Sequence, residues 1–272
     1  MHTHPPLPLS GRTAVITGVS RRQGIGFAIA RRLGGMGANL FLQHHVPHDE
    51  AQPWGADSIP DLVRDLQTSL PDGIRVEHAG IDLAPAAGAA ELIQRAQSAL
   101  GHLDILCCNH AKSGSDGGLL DMTPENLDAH WQVNTRSTLL ATRYFAEQHD
   151  GREGGRVVWM TSGQSQGPMP GEIAYATSKA ALAGVTASVA DGLMSQGIIL
   201  NTVNPGPVNT GYLNEETADR PSAELKSVLA HFPGGRFGEP DDPARLIAWL
   251  VSDEGRWMVG QVLNTEGGFR RW

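Results

Sequence analysis

The chain has 272 residues, 40% apolar and 18% charged, with 33 glycines and 17 prolines scattered along it. That excludes a disordered or fibrous protein and suits one hydrophobic core, which can serve a chain of up to roughly 250–300 residues. The 21 Lys and Arg against 29 Asp and Glu leave a formal charge of −8, which argues against nucleic acid as the main partner because phosphate backbones call for clustered positive charge.

Residues 1–10 open with Met1-His2-Thr3-His4-Pro5-Pro6, which is Pro-rich and holds no apolar signal segment. They are expected to form a flexible arm ahead of a single catalytic domain over 11–272. No apolar run approaches the ~20 residues that span a bilayer, so no membrane partner is expected and the expected location is cytoplasmic. From Gly11 onward, strand-like runs at 14–17, 39–43, 75–81, 105–109, 156–161, 198–204 and 261–264 alternate with helical patterns at 24–35, 59–70, 86–100, 123–149, 174–196 and 242–252. Such alternation predicts an α/β, Rossmann-type doubly wound parallel sheet of about seven strands with helices on both faces and ligands beyond the carboxyl ends of the strands. Two stretches break the rhythm: 43–58, long and polar, and 210–238, a candidate substrate lid with a short helical segment near 223–230. The adjacent Cys107 and Cys108 lie in an apolar run and read as buried strand residues. His44, His45 and His48 have no partner at a recurrent metal spacing, so they read as a solvated loop and no metal is expected.

After the first strand comes Thr17-Gly18-Val19-Ser20-Arg21-Arg22-Gln23-Gly24-Ile25-Gly26, followed at once by an apolar helix. Glycines at a strand-to-helix turn let the backbone approach a pyrophosphate, and the helix N-terminus supplies amide donors. A carboxylate at the end of the second strand would take a ribose 2′-hydroxyl, whereas a basic group nearby suits a 2′-phosphate. Here that strand ends in Gln43-His44-His45, with no acid until Asp49, while Arg21 and Arg22 sit within the glycine turn. The balance favours NADP(H), with NAD(H) left open; a solvated pair is the plain alternative for the arginines.

Tyr175 and Lys179 stand four apart at the start of a helical run, so they share a face. A phenol of pKa near 10 becomes a usable acid–base group where an ammonium stabilises its ionised form. Thirteen residues earlier, Ser162 follows a strand; Asn134 is a polar group amid Trp131, Val133 and Leu139; and Asn204-Pro205-Gly206-Pro207-Val208-Asn209-Thr210 forms a rigid turn after another strand.

Over about residues 9–268 these motifs resemble the short-chain dehydrogenase/reductase family, in its single-domain branch of about 250 residues. The resemblance implies that Asn134, Ser162, Tyr175 and Lys179 form the catalytic tetrad, with Asn134 anchoring a water that resupplies protons. It implies cofactor contacts from Gly18, Ser20, Arg21, Gly24, Ile25, Gly26, Asn109, Ala111, Tyr175 and Lys179, with Asp82 and Leu83 flanking the adenine and Pro205, Val208 and Thr210 seating the nicotinamide. The runs 232–240 and 260–268 also match the family's pattern. The implied reaction is reversible hydride transfer between NADP(H) and a carbonyl or secondary alcohol, Tyr175 acting as acid and base. Pairing of helices 123–149 and 174–196 implies a homotetramer, with a homodimer next; the small residues Ala180, Ala181, Ala183, Gly184 and Ala187 suit either that pairing or burial against the chain's own sheet.

Departures from the family pattern are a glycine turn longer by two residues, Cys108-Asn109-His110-Ala111 where Asn-Asn-Ala-Gly is usual, and Glu266 in place of Asp. His110 admits two readings: a packed neutral imidazole on a backbone carbonyl, or a titrating group that binds substrate or tunes Tyr175. A non-catalytic dinucleotide-binding regulator and an epimerase or dehydratase are the alternatives in function. Gln164, Met169, Glu172, Tyr212 and Leu213 are candidates to line the substrate pocket, whose substrate the sequence does not name.

Overall fold

The computed structural model describes residues 6–218 and 221–269. Its strands are β1 (Thr13–Ile16), β2 (Asn39–His44), β3 (Val76–Gly80), β4 (Ile105–Cys108), β5 (Gly155–Met160), β6 (Ile198–Asn204) and β7 (Val262–Asn264), and they form one parallel sheet in the order β3-β2-β1-β4-β5-β6-β7. The central strands β1, β4 and β5 are buried along their whole length, as continuous apolar runs require when helices cover both faces.

The helices are α1 (Ile25–Gly35), α2 (Val46–Glu50), α3 (Ile59–Thr68), α4 (Ala86–Leu100), α5 (Pro124–His130), α6 (Ser137–Gln148), α7 (Ile173–Met194), α8 (Ser222–Ala230) and α9 (Asp241–Val251). On one face Ile29 and Leu33 of α1, Leu62 and Leu66 of α3 and Ile247 and Leu250 of α9 pack against Ile16, Leu40 and Val203. On the other, Leu92 and Ile93 of α4, Phe145 of α6 and Leu182 and Leu193 of α7 pack against Val15, Leu106 and Val157. β1 is followed by β2 on one side and flanked by β4 on the other, so a crevice opens beyond the carboxyl ends of β1 and β4.

Three sequence expectations change, while the helical segment expected near 223–230 is present as α8. Within the arm predicted over 1–10, residues 1–5 lie outside the described residues, but Leu9 is fully buried and its amide donates to Met36 O at 2.8 Å. An apolar side chain seated in the core ties that end down. The histidines are not a loop: His44 ends β2 half-buried with its Nε2 3.2 Å from His78 Nδ1, and His48 lies in α2. The single helix predicted over 123–149 is α5, then a π-helical turn at Trp131–Arg136, then α6; apolar periodicity runs through such a turn unbroken. The predicted lid 210–238 contains α8 and is pinned by buried Leu213, Leu225 and Phe232, although residues 219–220 of it lie outside the described residues.

Candidate active site

The glycine turn and the end of β4 meet backbone to backbone. Gly18 has φ +71°, and a Cβ there would lie 2.9 Å from His110 Cα; a Cβ on Gly26 would lie 2.5 Å from Gly18 O. No larger residue fits either position. Asn109 stitches the contact, its Nδ2 donating to Thr17 O at 3.1 Å and Gly18 O at 3.2 Å. Gln43, at the end of β2, accepts from Gly18 N at 2.9 Å and donates to Ile81 O at 2.7 Å. Beyond the turn, α1 starts at Gly24 with no side-chain cap and no acid in its first turn, which leaves amide donors and the positive end of the helix dipole open to an anion.

The arginines are not free, as the 2′-phosphate reading assumed. Arg21 Nε donates to Asp49 Oδ1 at 2.9 Å, its Nη1 reaches Thr210 O, and its guanidinium lies 5.4 Å from the Trp54 ring. Asp49 is buried and also accepts from Ser20 Oγ. Arg22 pairs with Asp57 at 3.2 Å and Asp65 at 2.6 Å, away from the cleft. Thus the first acid after β2 is spent on the glycine turn, and Arg21 ties that turn to the lid.

His110 is packed. Thr17 Oγ1 accepts the amides of Asn109 at 2.9 Å and His110 at 3.2 Å, and its own hydrogen is shared between His110 Nδ1 at 2.7 Å and Cys107 O at 3.3 Å; Val133 O can only accept, which sets the tautomer. His110 Nε2 then carries the ring proton toward Val133 O at 3.0 Å and Ser137 Oγ at 2.6 Å. Burial, with Lys179 adding repulsion, pushes the imidazole down to about 3. The fold therefore holds the neutral form: His110's contribution to stability is complete above the ordinary 6.5 and is lost as pH falls from there toward 3. His110→Ala should cost about 1–3 kcal/mol at pH 7, the scale for stranding buried polar partners, lose less on acidification than the parent, and leave no missing limb near pH 6–7 in kcat/KM. Urea unfolding at pH 7 and 4.5 checks this, and a lost kinetic limb would restore the titrating role.

Three of the expected tetrad, Ser162, Tyr175 and Lys179, line the same crevice, while Asn134 lies buried behind it, next to the lining residue Val133. Asn134 lies in the π-helical turn, fully buried, its Oδ1 accepting Lys112 N at 2.6 Å and its Nδ2 donating to Lys112 O at 3.1 Å and Ser178 Oγ at 2.9 Å. Its amide is thus committed to protein, and its carbonyl accepts from Thr138 Oγ1 at 2.9 Å. Ser162, just past β5, hydrogen-bonds Tyr175. Lys179 is 2% exposed, its Nζ donating to Met160 O at 3.0 Å and lying 5.8 Å from the Tyr175 ring centroid.

The electrostatics reverse one expectation. Burial foremost, then Glu172, pushes the Tyr175 phenol up to about 12 against the Ser162 hydrogen bond, while burial pushes Lys179 down to about 8. The same desolvation that disfavours the phenolate disfavours the ammonium, so Tyr175 holds its proton at neutral pH, as a donor must.

Gly18, Ser20, Arg21, Gly24, Ile25, Asp82, Leu83, Asn109, Ala111, Pro205, Val208 and Thr210 line one continuous cleft of about 1330 Å³ with Ser162, Tyr175 and Lys179. Its volume exceeds the roughly 1,000 Å³ upper end for pockets of drug-sized ligands. Asp82 Oδ1 accepts from Ala84 N at 2.8 Å. Met169, Glu172, Tyr212 and Leu213 line the same cleft, whereas Gln164 turns its Nε2 back onto Thr161 Oγ1 at 3.1 Å and is not part of the lining.

Over residues 18–270 the chain matches the family model described as enoyl-(acyl carrier protein) reductase. The oxidoreductase YjdA of Bacillus subtilis (strain 168) is 38% identical over 265 residues, 96% of this chain and 97% of that one. The chain belongs to the short-chain dehydrogenase/reductase family. Also similar to this short-chain dehydrogenase/reductase, at 32% identity over 99% of its chain and 100% of the other, is the NADPH-dependent aldehyde reductase-like protein, chloroplastic, of Arabidopsis thaliana. The solved short chain dehydrogenase of Burkholderia cenocepacia J2315 in complex with NADP aligns at a TM-score of 0.81 and 31% identity, over 96% of this chain and 98% of that one. The short-chain dehydrogenase/reductase described here is an NAD(P)-dependent oxidoreductase. Among the cleft residues that escaped the sequence reading are Lys112, Trp54 and Asp116. Only the turn signal Ser115-Asp116-Gly117-Gly118 hinted at the last.

Proposed function

We propose that the protein reduces a carbonyl to a secondary alcohol, reversibly, with NADP(H) as hydride partner and Asn134, Ser162, Tyr175 and Lys179 as its catalytic residues. The observation that carries this is the meeting of Ser162, Tyr175 and buried Lys179, its Nζ 5.8 Å from the Tyr175 ring centroid, in one cleft of dinucleotide size with the glycine turn. Gly18, Ser20, Gly24, Ile25 and Gly26 would hold the pyrophosphate at the open start of α1, Asp82, Leu83, Asn109 and Ala111 the adenosine side, and Pro205, Val208 and Thr210 the nicotinamide side. When bound, the cofactor supplies the hydride. Ser162 and Tyr175 hold the substrate oxygen; Tyr175 Oη gives it a proton as negative charge develops there. Lys179 Nζ holds positive charge within reach of the phenolate left behind. Asn134 keeps Lys112 and Ser178 in register between β4 and α7.

NADP(H) preference is supported by the absence of a free carboxylate at the end of β2, where Gln43 is bonded to Gly18 and Ile81 and Asp49 to Ser20 and Arg21. Arg21 lines the cleft despite its ion pair. Arg21→Gln is expected to weaken NADPH by about 1.5–3 kcal/mol, the scale of a charged hydrogen bond, and NADH by less than half of that; fluorescence titration of both cofactors decides, and equal losses would show that Arg21 only ties the turn to the lid.

The reading includes a cytoplasmic homotetramer, or a homodimer. Ala180, Gly184 and Ala187 are exposed on α7 rather than buried by the chain's own sheet, which supports close approach of a second copy; a monomer in sedimentation equilibrium at micromolar concentration would overturn it. The function itself is tested by NADPH oxidation against a panel of aldehydes, ketones and 3-ketoacyl thioesters. The family model's description favours a second reading, reduction of an enoyl thioester; turnover of a crotonyl thioester with no turnover of any carbonyl would replace the first.

A further inference from the structure

The helix that carries Tyr175 does not cap itself. α7 begins after Glu172, whose side chain makes no capping bond, and its first turn holds no acid. Yet its first amides are satisfied, because the loop after β4 reaches across to them. Gly117 O accepts Ile173 N at 3.2 Å, Asp116 Oδ1 accepts Ala174 N at 3.1 Å, and Asp116 Oδ2 accepts the amide of Tyr175 itself at 2.7 Å. Asp116 Oδ1 also accepts Gly117 N at 2.8 Å, which fixes the rotamer. A carboxylate on first-turn amides gains from both hydrogen bonding and the helix dipole.

The loop is built for this reach. Ser115, immediately before Asp116, is the one non-glycine residue with positive φ, +50°, among the described residues, a left-handed conformation that costs energy and persists only where the surroundings enforce it. The other end of the loop is pinned where Asn134 grips both the amide and the carbonyl of Lys112. Residues 112–117 are therefore a strap, tied to the π-helical turn at one end and to the start of α7 at the other.

We infer that Asp116 is a positioning residue for the hydride-transfer reaction, acting through the backbone of Tyr175. Without it the first turn of α7 loses two of its three amide partners, and the phenol loses its fixed distance to Ser162. Displacement of a reacting group by about 1 Å costs on the order of 10²-fold in rate. The inference rests on the reading of Tyr175 as the acid–base group.

The test compares Asp116→Ala and Asp116→Asn in the parent and in a Tyr175→Phe background, using NADPH and the best carbonyl substrate of the panel. Asp116→Ala should lower kcat about 10- to 100-fold while KM for the carbonyl and the dissociation constant for NADPH change less than about threefold. Asp116→Asn, which keeps one accepting oxygen for the Tyr175 or the Ala174 amide, should recover a large part of kcat. In the Tyr175→Phe background Asp116→Ala should have no further effect on residual turnover, because its lever is gone. A general packing defect would lower turnover equally in both backgrounds, or fall on KM and NADPH binding, and either result overturns the inference. So does unchanged kcat in Asp116→Ala. Should Asp116→Ala fail to fold, Asp116→Asn carries the same comparison. If Tyr175→Phe alone keeps parent turnover, the acid–base reading has failed, a result distinct from any outcome at Asp116.

Discussion

Tyr175→Phe is expected to fold normally, to bind NADPH nearly as tightly as the parent, and to lose at least about 10²-fold in kcat, the range for removing a general acid. The substitution deletes one oxygen and leaves the ring on α7, so Asp116 still holds the same amide and Lys179 still donates to Met160 O. What disappears is the proton positioned beside Ser162. Because the phenol is pushed up to about 12, it is protonated across the neutral range, and the reductive rate of the parent should show no alkaline limb from Tyr175 below about pH 10. Stopped-flow NADPH oxidation from pH 6 to 10 measures both statements. Parent-like turnover in the variant would remove Tyr175 from the chemistry.

The alternation of apolar runs and helical patterns places the sheet in sequence because the central strands β1, β4 and β5 are buried along their whole length and read as unbroken apolar runs, β4, Ile105–Cys108, being the plainest case; the edge strands β3 and β7 are partly exposed. The cysteines at its end are buried, and burial pushes both thiols up, as expected of strand residues. Tyr175 and Lys179 stand out by their spacing, Ser162 by its place after a strand and Asn134 as a polar group in an apolar stretch, and the family resemblance joins the four. What stayed hidden depends on partners remote in sequence. Arg21 reads as an unpaired cation until Asp49, 28 residues away, is seen to pair with it. His110 admits a packed and a titrating reading until Thr17 and Val133 are seen to close around it, which favours the packed one. Asp116 reads as a turn residue until α7, 58 residues on, presents its amides. The π-helical turn at Trp131–Arg136 leaves no mark in the apolar pattern at all, although it sets Asn134 against Lys112.

Lys179→Met should make the protein more stable and all but inactive. Lys179 is 2% exposed, and burial, only partly offset by Cys108, pushes its ammonium down from 10.5 to about 8. Its folded-state value lies below the unfolded one, so the charged form costs stability; that cost is complete below about pH 8 and vanishes as pH rises to about 10.5. At about 1.4 kcal/mol per pH unit the penalty is about 3 kcal/mol at neutral pH. Methionine fills a similar volume without charge, and its substitution loses the donor to Met160 O, which costs about 1–2 kcal/mol. Removal of the buried charge therefore wins by about 1–2 kcal/mol, a trade of stability for function found at active sites. Urea unfolding at pH 7 should show the gain, which should close at about pH 9–10 and turn into a small loss by about pH 10.5. Meanwhile kcat should fall by about 10² or more, since the phenolate left on Tyr175 after proton transfer would have no cation nearby. A variant that is less stable at pH 7, or that turns over like the parent, would show that the buried ammonium is there for structure rather than for the chemistry of Tyr175.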